Sequence, residues 1–168
     1  YMVLDCYDDI ALILTNNNAP NYRLVAVNLN TRECNDIIPQ TNHPLEGVST
    51  VGDYLFAFYL IDAQNKVLQY DRKGNLIREV ELPAIGSVGG FDGERKDSEA
   101  YYAVANYTTP GNIYHYDLES GVSTLYHASE VKFDGSQYTT SQIFFTSKDG
   151  TRVPMFVSHK KGLKLNGK

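Results

Sequence analysis

The sequence predicts an all-β fold, a partial β-propeller of about three four-stranded antiparallel blades, on three observations. The chain has 168 residues, among them 13 Tyr, 7 Phe and 13 Gly, with many Val, Ile and Thr. Aromatic and β-branched residues suit a half-buried pleated surface. Short runs of them are separated by turn residues at close spacing, and no segment of 11 or more residues carries a helical period. Finally, the runs repeat.

The repeat is marked by the end of one strand. Leu24-Val25-Ala26-Val27-Asn28, Lys66-Val67-Leu68-Gln69-Tyr70-Asp71 and Asn112-Ile113-Tyr114-His115-Tyr116-Asp117 each close on Asn or Asp, and this marker recurs after 43 and then 46 residues. Turn residues follow every time: Thr31-Arg32-Glu33, Arg72-Lys73-Gly74-Asn75 and Glu119-Ser120-Gly121. An Asx side chain bonds backbone two residues on, and Gly accepts positive φ. A β repeat of about 40–50 residues is the length of one propeller blade, and a closed propeller needs at least four. The 168 residues therefore hold part of one. Strands are expected at 11–15, 22–28, 54–60, 67–71, 76–82, 101–106, 113–117, 122–127, 137–146 and 152–158.

The last segment breaks the pattern. Two strand-like runs flank Lys148-Asp149-Gly150-Thr151, a long hairpin with Asp-Gly at its turn, and Pro154 suits an edge. A domain boundary is expected near 131–138, dividing the chain into 1–130 and 131–168.

Composition narrows the function classes. The hydrophobic fraction is 42% and the charged fraction 21%, a globular balance. A net charge of −5 argues against nucleic acid. Lys160, Lys161, Lys164 and Lys168 read as a solvated tail or loop. No apolar run reaches the roughly 18–20 residues that span a bilayer, so no membrane partner is expected. Tyr1-Met2-Val3-Leu4 has no leader character and starts inside structure, as at an artificial boundary. Cys6 and Cys34 lack partners at metal spacing and read as buried free thiols.

Chemistry-bearing motifs are missing, and no catalytic, substrate-binding or metal residue is assigned. Gly86-Ser87-Val88-Gly89-Gly90 is the nearest approach to a Gly-x-Ser-x-Gly nucleophile elbow, but Ser87 follows the first glycine directly and no helix follows. It reads as a loop or strand start. His115 and His127 fall in or at the end of strands, His43 precedes Pro44 in a loop, and His159 follows the hairpin. None has a serine that it could activate by spacing. Asp8 with Asp9, and Asp92 with Glu94, match no calcium loop and read as solvated turn carboxylates. No phosphate loop occurs, and no cofactor is expected. Tyr101, Tyr102, Tyr107, Tyr114 and Tyr116 could line a groove, but packing between blades is the better account.

A family resemblance rests on further residues. The run from Tyr138-Thr139-Thr140-Ser141-Gln142-Ile143-Phe144-Phe145-Thr146 through Ser147-Lys148-Asp149-Gly150-Thr151-Arg152-Val153-Pro154-Met155-Phe156-Val157 to Ser158-His159-Lys160-Lys161-Gly162 resembles the stretch by which prolyl oligopeptidases pass from propeller to peptidase domain. Thr15-Asn16-Asn17-Asn18-Ala19-Pro20-Asn21-Tyr22-Arg23-Leu24 resembles a propeller strand–loop–strand of the family, Gly86-Ser87-Val88-Gly89-Gly90-Phe91 with Lys96-Asp97-Ser98-Glu99 a later blade, and Thr109-Pro110-Gly111-Asn112-Ile113-Tyr114-His115-Tyr116-Asp117-Leu118 the last one, in the family's order.

The resemblance implies a serine endopeptidase cutting short peptides after proline, its active site capped by a propeller that excludes folded proteins. The triad would lie in an α/β-hydrolase domain that continues past Lys168, the hairpin forming its first strands. This chain would then be a wall of the gate, packed against its own hydrolase domain and without catalytic groups. The family's cytoplasmic and periplasmic members leave the compartment open. Excised blades expose faces meant for neighbours, so self-association is expected of the isolated chain. The alternative reading is an independent β-repeat binding module.

Overall fold

The computed structural model describes residues 1–164, 166 and 167. It is built from three four-stranded sheets and one hairpin. The first sheet runs β1(Met2–Tyr7), β2(Ile10–Thr15), β3(Arg23–Asn28), β4(Cys34–Ile38); the second β5(Leu45–Val51), β6(Tyr54–Ile61), β7(Gln64–Asp71), β8(Leu76–Glu79). The third runs β9(Ser87–Gly90), β10(Glu99–Asn106), β11(Thr109–Asp117), β12(Ser123–His127). After a single 3-10 turn, Gly135–Gln137, come β13(Tyr138–Thr146) and β14(Arg152–Lys160). Each sheet is a meander of sequential antiparallel neighbours, as consecutive blade strands require.

The recurring markers end β3, β7 and β11, and they work as their chemistry implies. Asn28 Oδ1 accepts from the N–H groups of Asn30 and Thr31, each at 2.9 Å. Asp71 Oδ1 accepts from Lys73 (2.8 Å) and Asn75 (2.9 Å), and Asp117 Oδ1 accepts from the Ser120 N–H at 2.7 Å. Two positions before each returning strand the backbone lies at positive φ: Gly74 at 86°, Gly121 at 76° and, in the first blade, Arg32 at 65°. Arg32 thus stands where the other blades have glycine, with the Cβ crowding that left-handed backbone entails.

Two apolar seams join the blades. Leu12, Leu14, Leu24 and Ile38 of the first sheet bury against Leu45, Val48, Leu55, Ala57 and Tyr59 of the second. Val51, Phe56 and Val67 of the second bury against Phe91, Tyr102, Val104, Tyr116 and Leu118 on the third sheet's side. Each fully buried large side chain is worth about 1.5–3 kcal/mol. Alternation sets the facing: in β10, Ala100, Tyr102 and Val104 are buried while Glu99, Tyr101 and Ala103 are exposed.

Phe56, Phe91, Tyr102 and Tyr114 form a run of stacked rings, with successive centroids 4.5, 4.5 and 5.4 Å apart. Polar ties cross the seams as well. Arg72 bonds Asp5 of the first blade at 2.7 Å while donating to Gly52 O of its own blade at 3.0 Å. The Ser49 hydroxyl lies 3.1 Å from the Gly90 carbonyl.

Several expectations change. Strands β1, β4, β5 and β9 were outside the expected set. β9 contains Gly89 and Gly90, and β4 opens with Cys34-Asn35-Asp36, so pairing more than propensity makes them strands. Ser87–Gly90 is accordingly the first strand of the third blade, with Gly86 just before it, as the strand-start reading of this run expects.

Cys6 and Cys34 are free but exposed, not buried. They share one row of the first sheet, Cys6↔Ala11↔Val27↔Cys34. Three interstrand steps of about 4.8 Å separate them by ~14 Å, twice the reach of a disulfide. Of the basic run, Lys160, Lys161 and Lys164 are exposed, and Lys168 lies outside the described residues. No described helix is long and apolar enough to cross a membrane.

Candidate functional site

Strand direction sorts the connections into two ends. The marker turns lie at one end, with the β1–β2 and β5–β6 turns. The β2–β3, β6–β7 and β10–β11 connections lie at the other, where the β13–β14 hairpin sits. Gln142 of β13 donates to the Asp62 carbonyl and accepts from Gln64 Nε2, both at the β6–β7 turn. Arg152 of β14 approaches Asp62 at 3.7 Å. Asp62 and Ala63 have φ of 50° and 62°, a primed turn that keeps the strand twist. The Asp62 carbonyl is thereby held where Gln142 reaches it.

Between the hairpin and the second and third blades lies a cleft of about 550 Å³. Its walls include Glu46 of β5, Asn65 of β7, Ser87 of β9, Tyr107 of the β10–β11 turn, and Thr140 and Phe156 of the hairpin. Among the described residues, Glu46 is the one charged residue lining it. A register break between Leu45 and Gly47 makes Glu46 the extra residue of a bulge, a feature that re-aims a side chain. Asn65 then holds it: Asn65 Nδ2 donates to Glu46 Oε2 at 2.9 Å, while Asn65 Oδ1 accepts from the Val88 N–H at 3.2 Å. One amide thus ties the first strands of two blades and orients the carboxylate.

The residues weighed from sequence fall elsewhere or play other parts. Ser87 lines the cleft from β9 without a histidine beside it in the wall. His115 pairs with Glu99 at 2.8 Å, and His159 Nδ1 lies 2.9 Å from the Lys160 carbonyl. His43 and His127 are exposed.

Asp8 and Asp9 form the β1–β2 turn at positive φ, and Glu94 pairs with Lys96 at 2.8 Å. Among the described residues, no three His, Cys, Asp or Glu side chains are grouped to hold a metal. Tyr102 and Tyr116 pack between blades, with Tyr114 against them. Tyr101 and Tyr107 do not: they are 40% and 79% exposed, so the packing account fails for these two. Glu46 and Asn65 were not singled out from sequence; the only signal was a charge breaking an apolar strand at Leu45-Glu46-Gly47.

Meandering four-stranded sheets joined through apolar faces define a segment of a β-propeller. Residues 1–129 match the family described as prolyl oligopeptidase, N-terminal β-propeller domain, and the chain belongs to that family. It is 41% identical to the prolyl endopeptidase of Elizabethkingia miricola, over 99% of this chain and 24% of that protein.

Among solved structures, a prolyl endopeptidase from a study of inter-domain dynamics in two such enzymes superposes with a TM-score of 0.83 at 36% identity, covering 95% of this chain and 24% of that one. Prolyl oligopeptidase B from Galerina marginata shares the fold, with a TM-score of 0.86 at 24% identity over 98% of this chain and 24% of that one. The chain spans about a quarter of the length of these proteins.

Proposed function

We propose that this chain is the closing part of the propeller of a post-proline-cleaving serine endopeptidase, and that it gates the access of short proline-containing peptides. Residues 1–130 are its last blades. Residues 131–168 are the linker and the first strands of the α/β-hydrolase domain, against which the blades pack. The observation that carries this reading is the seating of β13–β14. The hairpin departs from the blade pattern, follows the family match that ends at residue 129, and is fastened across one end of the blades by Gln142 and Arg152. Support for the activity comes from the 41% identity to a prolyl endopeptidase.

The mechanism is steric. Blade walls and the hairpin leave a cleft of about 550 Å³, room for part of an extended chain but not for a folded one. Bond cleavage belongs to residues outside this segment.

The test is a paired assay with a blocked Gly-Pro chromogenic substrate. The parent protein, expressed from its whole reading frame, cleaves it and is silenced by a serine-directed fluorophosphonate. The 168-residue chain alone stays at buffer background. Turnover by the isolated chain, or a parent frame ending at the hairpin, defeats the proposal and favours an independent binding module.

A further inference from the structure

The cleft beneath the hairpin has one charged wall group among the described residues, and two features fix its position. Glu46 sits on a bulge, so its side chain departs from the β5 alternation. Asn65 spends both ends of its amide on the arrangement, one on Glu46 and one on the main chain of β9. Among the described residues, no basic side chain lines the cleft to neutralise the carboxylate. Lys66, the nearest lysine in sequence, is engaged with Glu79 at 2.8 Å. Tyr107, largely exposed on the β10–β11 turn, adds an aromatic face to the same cleft. An open carboxylate and an exposed aromatic ring together suit an organic cation.

We infer that this cleft is a subsite for a cationic group on an extended peptide, a lysine or arginine side chain or a free α-amino group, with Glu46 as its anion and Tyr107 as its aromatic wall. The inference rests on the peptidase reading for its substrate class. It adds that the propeller selects by charge as well as by size. Main-chain contacts along an extended peptide are indifferent to sequence, and a lone fixed carboxylate makes one position along it selective.

The test uses the parent enzyme and a series of peptides in which a single Lys is moved stepwise away from the scissile proline, with matching norleucine peptides. Lys should raise kcat/KM about two- to fivefold over norleucine within one window of positions, the range of a solvent-exposed ion pair. Glu46→Gln should bring that ratio to one by lowering the Lys rates toward the norleucine rates. Gln keeps an oxygen for the Asn65 bond, so folding is preserved. Tyr107→Ala should reduce the ratio part way.

A Lys-to-norleucine ratio that is the same in wild type and Glu46→Gln overturns the subsite. Anisotropy of fluorescein-labelled peptides makes the same comparison without turnover. A parent that cleaves nothing after proline, yet binds the Lys peptides through Glu46, retires the peptidase reading and keeps the subsite. A parent that cleaves after proline with no Glu46-dependent preference does the reverse.

Discussion

Gln69 and Tyr116 meet across the seam between the second and third blades, where the Tyr116 hydroxyl donates to Gln69 Oε1 at 2.8 Å and neither side chain is exposed. Gln69 Nε2 completes the bridge by donating to the Leu118 carbonyl at 2.8 Å. Burial pushes the Tyr116 phenol up to about 12, so it remains a donor throughout the accessible pH range. Gln69→Leu strands a buried hydroxyl and a buried carbonyl, and a loss of about 2 kcal/mol is expected. Adding Tyr116→Phe removes the stranded hydroxyl, so the double variant should lose less than the two singles summed. Urea unfolding of the four proteins measures this coupling; strict additivity would show that the bridge is not a unit.

Arg32 offers a stabilising change. Its φ of 65° matches the glycine positions of the other two marker turns. Arg32→Gly should raise stability by about 0.5–1 kcal/mol, relief of left-handed strain outweighing the greater freedom of the unfolded glycine. A higher denaturation midpoint at unchanged slope is the expected readout.

The marker carboxylates tie the turns to pH. The side-chain bond from Asn75, with backbone N–H groups of Asn75 and Lys73, holds Asp71 below the usual carboxylate range. The side-chain and backbone bonds of Ser120 do the same for Asp117. A carboxyl depressed in the folded state contributes stability that is fully present above its unfolded value and is lost as pH falls through its folded value. The turns should therefore hold at neutral pH and loosen only in acid below about pH 4. Carboxyl titration by NMR should place both midpoints below 3.8. Asn75→Ala should return Asp71 toward its ordinary value and leave Asp117 where it was.

The isolated chain should self-associate. Ile143, Phe145 and Met155 share the hairpin face turned away from the blades, and all remain exposed, at 43%, 48% and 40%. Leu125 and Tyr126 are exposed on β12, the last strand of the third blade. Contiguous apolar surface of this kind seeks a partner. Light scattering across a concentration series should show mass growth, reduced by the paired change Ile143→Ser and Phe145→Ser. A monomer at all concentrations contradicts the expectation.

Asn28, Asp71 and Asp117 were legible because Asx capping is local: side chain and target amides are separated by two to four residues. The second and third strands of each blade followed from their aromatic and β-branched runs between turn residues. The first strands of the blades were harder to read. β9 is Ser-Val-Gly-Gly, and β5 is broken by Glu46-Gly47, so neither carries a propensity signal. The cleft was invisible for the same reason. Glu46 and Asn65 are 19 residues apart and become partners only through the β5–β6–β7 meander.

By itself, the order of residues determined what short-range chemistry governs: the strand-turn repeat, the caps that end each third strand, the hairpin at Asp149-Gly150, and the all-β class. Tertiary structure alone decided which faces met. It exposed Cys6 and Cys34 on opposite edges of one sheet, buried Tyr102 while leaving Tyr101 open, and turned a bulged glutamate into a charged wall of a cleft. Pairing register and the stacking of sheets couple residues tens of positions apart. Those couplings depend on which surfaces leave water together, a property of the assembled blades and of no local stretch of the chain.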